Sequence, residues 1–184
     1  GAKVRPIKNM AGGEDFNEVV FEDVVVPKDR IVGEAGNGWA QVTSELAYER
    51  SGPERFLSAF RVFVELVRFC GPEPTEYQAT VIGRIASHIM TLRRMSISVA
   101  GMLESGKDVV VEAALVKELG NNFEKLLPEL ARVVGSDGFS DFSRDGDLFR
   151  RTFEDTMLLS PSFTLRGGTR EILRGVIARG LGLR

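Results

Sequence analysis

The sequence predicts a mainly α protein, an antiparallel four-helix-type bundle preceded by a short β segment. Three observations predict it. Near Asn37 the pattern changes from strand-like runs to apolar residues three and four apart, that spacing persists over long stretches, and the breaks between stretches are short and carry Gly or Pro. Helices joined in this way bury their apolar stripes best against one another.

Residues 3–10 read as one extended stretch and Ala11-Gly12-Gly13 as a turn. Residues 16–26 form the second stretch, carrying Val19, Phe21 and Val24 to Val26 until Pro27 stops it. Two strands are marginal alone, so this segment is expected to belong to a larger β domain, truncated here or completed by another piece of chain. Asn37 is placed to cap a helix running through Trp39, Val42, Leu46 and Glu49. Pro53 interrupts that pattern, and Phe56, Phe60, Phe63, Val64 and Val67 resume it. The spacing therefore predicts a kinked or broken long helix ending near Cys70-Gly71.

A second helix is predicted after Pro74, through Val81, Ile85, Ile89, Leu92, Met95 and Val99 to about Leu103, with Glu104-Ser105-Gly106 as its stop. The third starts at Asp108 and carries Ala113, Leu115, Val116, Leu119, Phe123 and Leu126 towards Val134, with Pro128 as an irregularity. A fourth covers residues 148–159. The last runs from Thr169 through Ile172, Val176 and Ile177 to Leu181.

Composition removes several function classes. The 24 basic residues are interleaved with 26 acidic ones for a net charge of −2, which argues against nucleic acid as the main partner. One cysteine, Cys70, and one histidine, His88, leave no zinc site and no Cys-His nucleophile, and no Gly-x-Ser-x-Gly elbow is present. His88 lies between Ile85 and Ile89 in a helical pattern and reads as structural or surface. No stretch approaches the roughly 18 to 20 apolar residues of a membrane span, and the amino end lacks signal-peptide order, so a cytoplasmic location is expected.

Three segments resemble the acyl-CoA dehydrogenase family, in the same order and at similar distances from each other. The first runs from Phe16 to Pro27 and continues through Val32-Gly33-Glu34, Gly36 and Gly38-Trp39. The second is Gly135-Ser136-Asp137-Gly138-Phe139. The third is Gly167-Gly168-Thr169-Arg170-Glu171-Ile172-Leu173-Arg174 with Ile177-Ala178-Arg179 after it, similar to the family's closing Gly-Thr-x-Glu-Ile-x-Arg signature. The resemblance implies residues 1–36 as the end of the family's middle β domain and residues 37–184 as its C-terminal helical domain. It also implies FAD as cofactor, an acyl-CoA substrate, an electron-transfer flavoprotein or similar acceptor, and a homo- or hetero-oligomer.

The implied reaction desaturates an acyl thioester: a base removes the α proton while the β hydrogen leaves as hydride to flavin. The protein must supply a carboxylate and donors for the thioester oxygen. Many members place a Glu immediately before the closing Gly-Thr, where this sequence has Gly167. Other members resemble this chain in placing the Glu on an earlier helix in a Glu-Arg pair, and Tyr48-Glu49-Arg50 supplies it.

Glu49 is therefore the candidate base, expected in an apolar cleft. Gly167 would leave room for its carboxylate or for a bulkier acyl group, and the Gly167 amide could donate to the thioester oxygen. The plain reading of Glu49 is a solvated helix carboxylate, and Glu45 and Glu54 are nearby decoys. Arg50 reads as structural or as a phosphate contact. Gly168, Thr169 and Glu171 match positions that touch the flavin or its phosphates, at a helix amino terminus suited to anions; a simple cap is the plain alternative. Trp39 reads as a packing residue where the β segment meets the helix.

Other contacts depart from the family pattern. Arg68-Phe69-Cys70-Gly71-Pro72 has the wrong spacing for the family's Arg-x-x-Phe-Gly, Arg132 stands where a Gln is usual, and Ser136 replaces a Gly. These departures fall on contacts that a subunit gives to its neighbour. The pattern resembles heteromeric or fused actinobacterial enzymes acting on steroid side-chain thioesters. The alternative reading is a non-catalytic partner module supporting flavin in a companion subunit, and an acyl-CoA oxidase shares the same base. The isolated chain is expected to bind flavin weakly or not at all, and to show no turnover.

Overall fold

Extended residues at the amino end pair as predicted. In the computed structural model, which describes residues 1–135 and 144–183, β1 (Ala2–Ile7) and β2 (Phe16–Phe21) run antiparallel, with Ala2 opposite Phe21 and Ile7 opposite Phe16. Asn9 closes the connection: its Oδ1 accepts the amides of Ala11 and Gly13 at 2.9 and 3.0 Å. Every residue of both strands is exposed. The chain divides into two units, Gly1–Glu45 and Leu46–Arg184.

Helix α1 spans Gly38–Ser51, and the Gln41 amide bonds the Asn37 carbonyl at 3.2 Å at its start. Trp39 does not pack as expected. It is 82% exposed. The long helix is broken rather than kinked: Gly52 is extended, and Pro53 starts a 3-10 turn over Pro53–Arg55. α2 (Phe60–Cys70) follows and stops at Gly71, whose φ of 69° needs no Cβ. α3 (Glu76–Glu104) opens with a capping box between Thr75 and Gln78. α4 spans Val110–Gly135 with Pro128 inside it, α5 Arg144–Leu159 and α6 Arg170–Gly180.

Helix α4 is the hub and packs against α2, α3, α5 and α6. Its Val116, Phe123, Leu127 and Ala131 join Phe56, Val62 and Leu66, then Val81, Ile85 and Leu92 of α3 and Phe149 and Phe153 of α5, in one core. His88 stacks on Phe123 with ring centroids 5.5 Å apart, the structural one of the two readings open for it.

Burial on several sides also takes in polar residues. Lys117, Asn121 and Glu124 are fully buried, whereas Leu119, predicted to face the core, is exposed. Lys117 Nζ donates to Asn121 Oδ1 at 2.5 Å and to the Phe163 carbonyl at 3.1 Å. Gly120 lies on the same helix where the 3-10 turn crosses it. A Cβ there would overlap the Arg55 carbonyl oxygen, a backbone atom that cannot swing aside.

Two stability effects follow from this hub. Gly120→Ala should force the 3-10 turn off α4 at a cost of about 1–3 kcal/mol, read as a lower urea midpoint at unchanged slope. Burial, partly offset by Glu124, pushes the Lys117 ammonium down to about 8 from 10.5. Between those values the unfolded chain holds a proton at this lysine that the folded chain has released, so stability gains up to ~3 kcal/mol as pH rises through the window. Urea midpoints at pH 8 and pH 10 should rise more in the parent than in Lys117→Met; equal pH dependence would refute a strained buried ammonium.

Candidate active site

The site begins where α1 ends. A helix leaves its last carbonyls without intrahelical donors, and here two side chains supply them. Ser96 Oγ donates to the Ser51 carbonyl at 2.6 Å, and Arg55 Nε donates to the Glu49 carbonyl at 2.8 Å. The 3-10 turn folds Arg55 back beneath α1. Its Nη2 consequently reaches Glu49 Oε1 at 2.6 Å.

From the other end of the chain, the Gly167-Gly168 turn approaches the same place. Both residues have positive φ, 66° and 105°, conformations that favour glycine. Arg50 is buried and its Nε donates to the Gly167 carbonyl at 3.0 Å, so the neighbour of Glu49 pins the turn. A Cβ at Gly167 would sit 3.3 Å from Glu49 Oε1 and 3.7 Å from Arg55 Cζ. Glu49, Arg50, Gly167 and Gly168, 117 residues apart across the pinning bond, thus share one corner of the bundle.

Thr169 lies at the cap position of α6 with extended φ and ψ, and its side chain makes no capping bond to the helix amides. Glu171 in the first turn is exposed; its own backbone N–H, then the Thr169 hydroxyl, hold its carboxyl below the usual range. Of the two decoys, only Glu54 borders this corner. Glu45 is exposed, and Glu54 is exposed with its Oε1 3.6 Å from Arg55 Nε.

Charge around the corner is unequal. Burial pushes the Arg50 guanidinium down, and Glu49 opposes that shift. Beneath lies Glu124, whose Oε1 accepts the Ser58 amide at 2.9 Å and whose Oε2 lies 3.5 Å from Arg166 Nη2. Arg50, Arg55, Lys117 and Arg166 thus face Glu49, Glu124 and Glu54, leaving a surplus of one positive charge. Asn121 Nδ2 and Arg166 Nε are buried without a partner among the described residues.

The expected apolar cleft around Glu49 is not what the structure has. The side chain is 40% exposed and paired to Arg55, because the break at Pro53 returns the chain to the helix end. Sequence reading missed Arg55, Lys117, Glu124 and Arg166. A signal existed in α4, where Lys117, Asn121 and Glu124 recur at helical spacing beside the apolar stripe. Arg68 and Arg132, which stand at the departures from the family pattern, are exposed and paired locally to Glu65 at 2.8 Å and Glu129 at 3.1 Å. The Gly135-Ser136-Asp137-Gly138-Phe139 segment lies, after Gly135, outside the described residues.

No helix among the described residues is long and apolar enough to cross a membrane. Residues 36–182 match the acyl-CoA dehydrogenase C-terminal domain. The whole chain aligns with acyl-CoA dehydrogenase IpdE1 of Mycobacterium tuberculosis at 30% identity, covering 48% of that protein. It aligns with IpdE1 of Mycolicibacterium smegmatis at 28% identity, covering 46%. The chain therefore spans about half the length of these curated relatives. The crystal structure of the ChsE4-ChsE5 complex from Mycobacterium tuberculosis matches over all of this chain and 50% of that one, with a TM-score of 0.77 and 25% identity. With four-fifths of its residues inside the matched domain, the chain belongs to the acyl-CoA dehydrogenase family.

Proposed function

We propose that this chain carries the proton-abstracting part of a FAD-dependent acyl-CoA dehydrogenase, which converts an acyl-CoA to its α,β-enoyl-CoA with Glu49 as the base. The observation that carries this reading is the approach of Glu49 Oε1 to the side-chain-free turn at Gly167. A carboxylate beside a bare backbone leaves space for a thioester to lie against it.

In this reading Glu49 takes the α proton, and the electrons of that bond move towards the thioester oxygen. The Gly167 amide would donate to that oxygen, and the surplus positive charge of Arg50, Arg55 and Lys117 would favour the enolate as it forms. Family members use FAD; Gly168, Thr169 and Glu171 would contact it, and it would accept the β hydrogen as hydride. The first turn of α6 supports that role in part: the Thr169 side chain takes none of its amides, although the Glu171 carboxyl takes its own. The absence of a side chain at Gly167 supports a bulky acyl group, such as a steroid side-chain thioester.

The complete protein would then comprise a β domain continuing the exposed hairpin and the helical domain from residue 37. It would work as a homo- or hetero-oligomer, passing electrons to an electron-transfer flavoprotein or similar acceptor. A second reading, a non-catalytic module supporting flavin in a companion subunit, draws on the ion pair that already occupies Glu49.

Anaerobic titration of the full-length protein, with its partner if it has one, separates the two. A panel of short, long and steroid-derived acyl-CoAs should bleach the flavin band for one class, and Glu49→Gln should slow that bleaching by at least ~100-fold. Equal bleaching in the variant would sink Glu49 as the base, and absence of bound flavin under any pairing would favour the module.

A further inference from the structure

The Arg55 guanidinium makes contacts that a helix cap alone does not need. One interaction, Nε to the Glu49 carbonyl, completes the end of α1. A lysine could do as much. The second, Nη2 to Oε1, requires a planar fork, and together they grip both the backbone and the carboxylate of one residue. Among the described residues Glu49 Oε2 accepts no hydrogen bond, so the grip leaves one oxygen open.

Stability gives little reason for this arrangement. Arg55 is only 9% exposed, so its charge has been taken largely out of water, while its partner remains 40% exposed. A pair with one wet member contributes a small but measurable coupling, most of which the desolvation of Arg55 offsets. What the pair does supply is direction. Arg55 sits on a turn seated against Gly120, and a Cβ at Gly167 would touch both Arg55 and Glu49. The charged groups facing this carboxylate from the packed elements are Arg50 on its own helix, Arg55 and Glu54 on the 3-10 turn, and Lys117 on α4.

We propose that Arg55 is a positioning residue for the desaturation: its buried guanidinium holds the Glu49 carboxylate beside Gly167 with one oxygen free to receive the α proton. The inference rests on Glu49 being the base. Loosening the carboxylate should reduce the chance that the free oxygen meets the α carbon, without changing how tightly the acyl-CoA is held.

The test uses the full-length flavoprotein, with its partner if it has one, and the acyl-CoA that bleaches the parent. Rapid mixing without oxygen gives the limiting rate of flavin reduction per bound flavin and the Kd for acyl-CoA. Arg55→Gln should lower the limiting rate about 10- to 100-fold with Kd nearly unchanged, and Arg55→Lys, which keeps the charge and a cap but loses the fork, should recover part of it. A thermal-unfolding cycle of Glu49→Gln, Arg55→Gln and the double variant reads the contact without turnover, and the two losses in Tm should not add.

Additive losses, or a Tm drop with an unchanged limiting rate in both Arg55 variants, would overturn the proposal and leave Arg55 as a cap. If Arg55→Gln does not fold, the rate of Arg55→Lys decides: a parental rate overturns the proposal. Should Glu49→Gln reduce flavin as fast as the parent, the base assignment falls and takes this inference with it. If Glu49→Gln is silent while the Arg55 variants keep the parental rate, only the positioning role fails.

Discussion

No side chain fits between α4 and the Arg55 carbonyl, and much of the site depends on that gap being closed. Gly120 lets the backbone of the 3-10 turn rest directly on the central helix. Only from that seat can a short side-chain reach bring the guanidinium to the end of α1. Backbone against backbone is also a rigid contact, since neither party has a rotamer to change. The geometry at Glu49 thus derives from a glycine on another helix, 71 positions along the chain.

The second dependency is electrostatic. Lys117, Glu124 and Arg50 are buried, and each is acceptable only because an opposite charge or carbonyl meets it. Their partners come from distant segments: the Phe163 carbonyl, the Arg166 guanidinium and the Gly167 carbonyl. The tail of the chain is therefore tied to α1 and α4 by polar bonds as well as apolar packing. Arg170 and Arg174 extend the same pattern, both reaching Glu118 of α4 at 3.1 and 3.0 Å.

What was legible in the sequence followed local chemistry. α3 could be placed within a few residues because it follows Pro74 and Val81, Ile85, Leu92 and Val99 keep one face apolar. The break at Pro53 was legible because proline cannot continue a helix. Glu49 and Gly167 were paired by family resemblance, and periodicity alone would not have joined them. What stayed hidden was tertiary. Lys117 reads as a solvated lysine until α4 is known to be packed on several sides. A one-dimensional pattern assigns one face to the core, and a central helix has more than one.

Pro128 divides α4 in a way that matters for motion. Proline brings no amide, so the ladder of the helix has a missing rung between residues 124 and 128. Upstream of that rung lie Lys117, Gly120, Asn121 and Glu124, the residues that support the corner around Glu49. Downstream, Ala131 and Val134 contribute apolar packing. A helix interrupted in this way tends to open in segments, and amide exchange would follow two populations with different protection. Opening of the distal turns can then begin at the missing rung without first breaking a backbone bond there, while the shared core still ties both halves of the helix to the bundle.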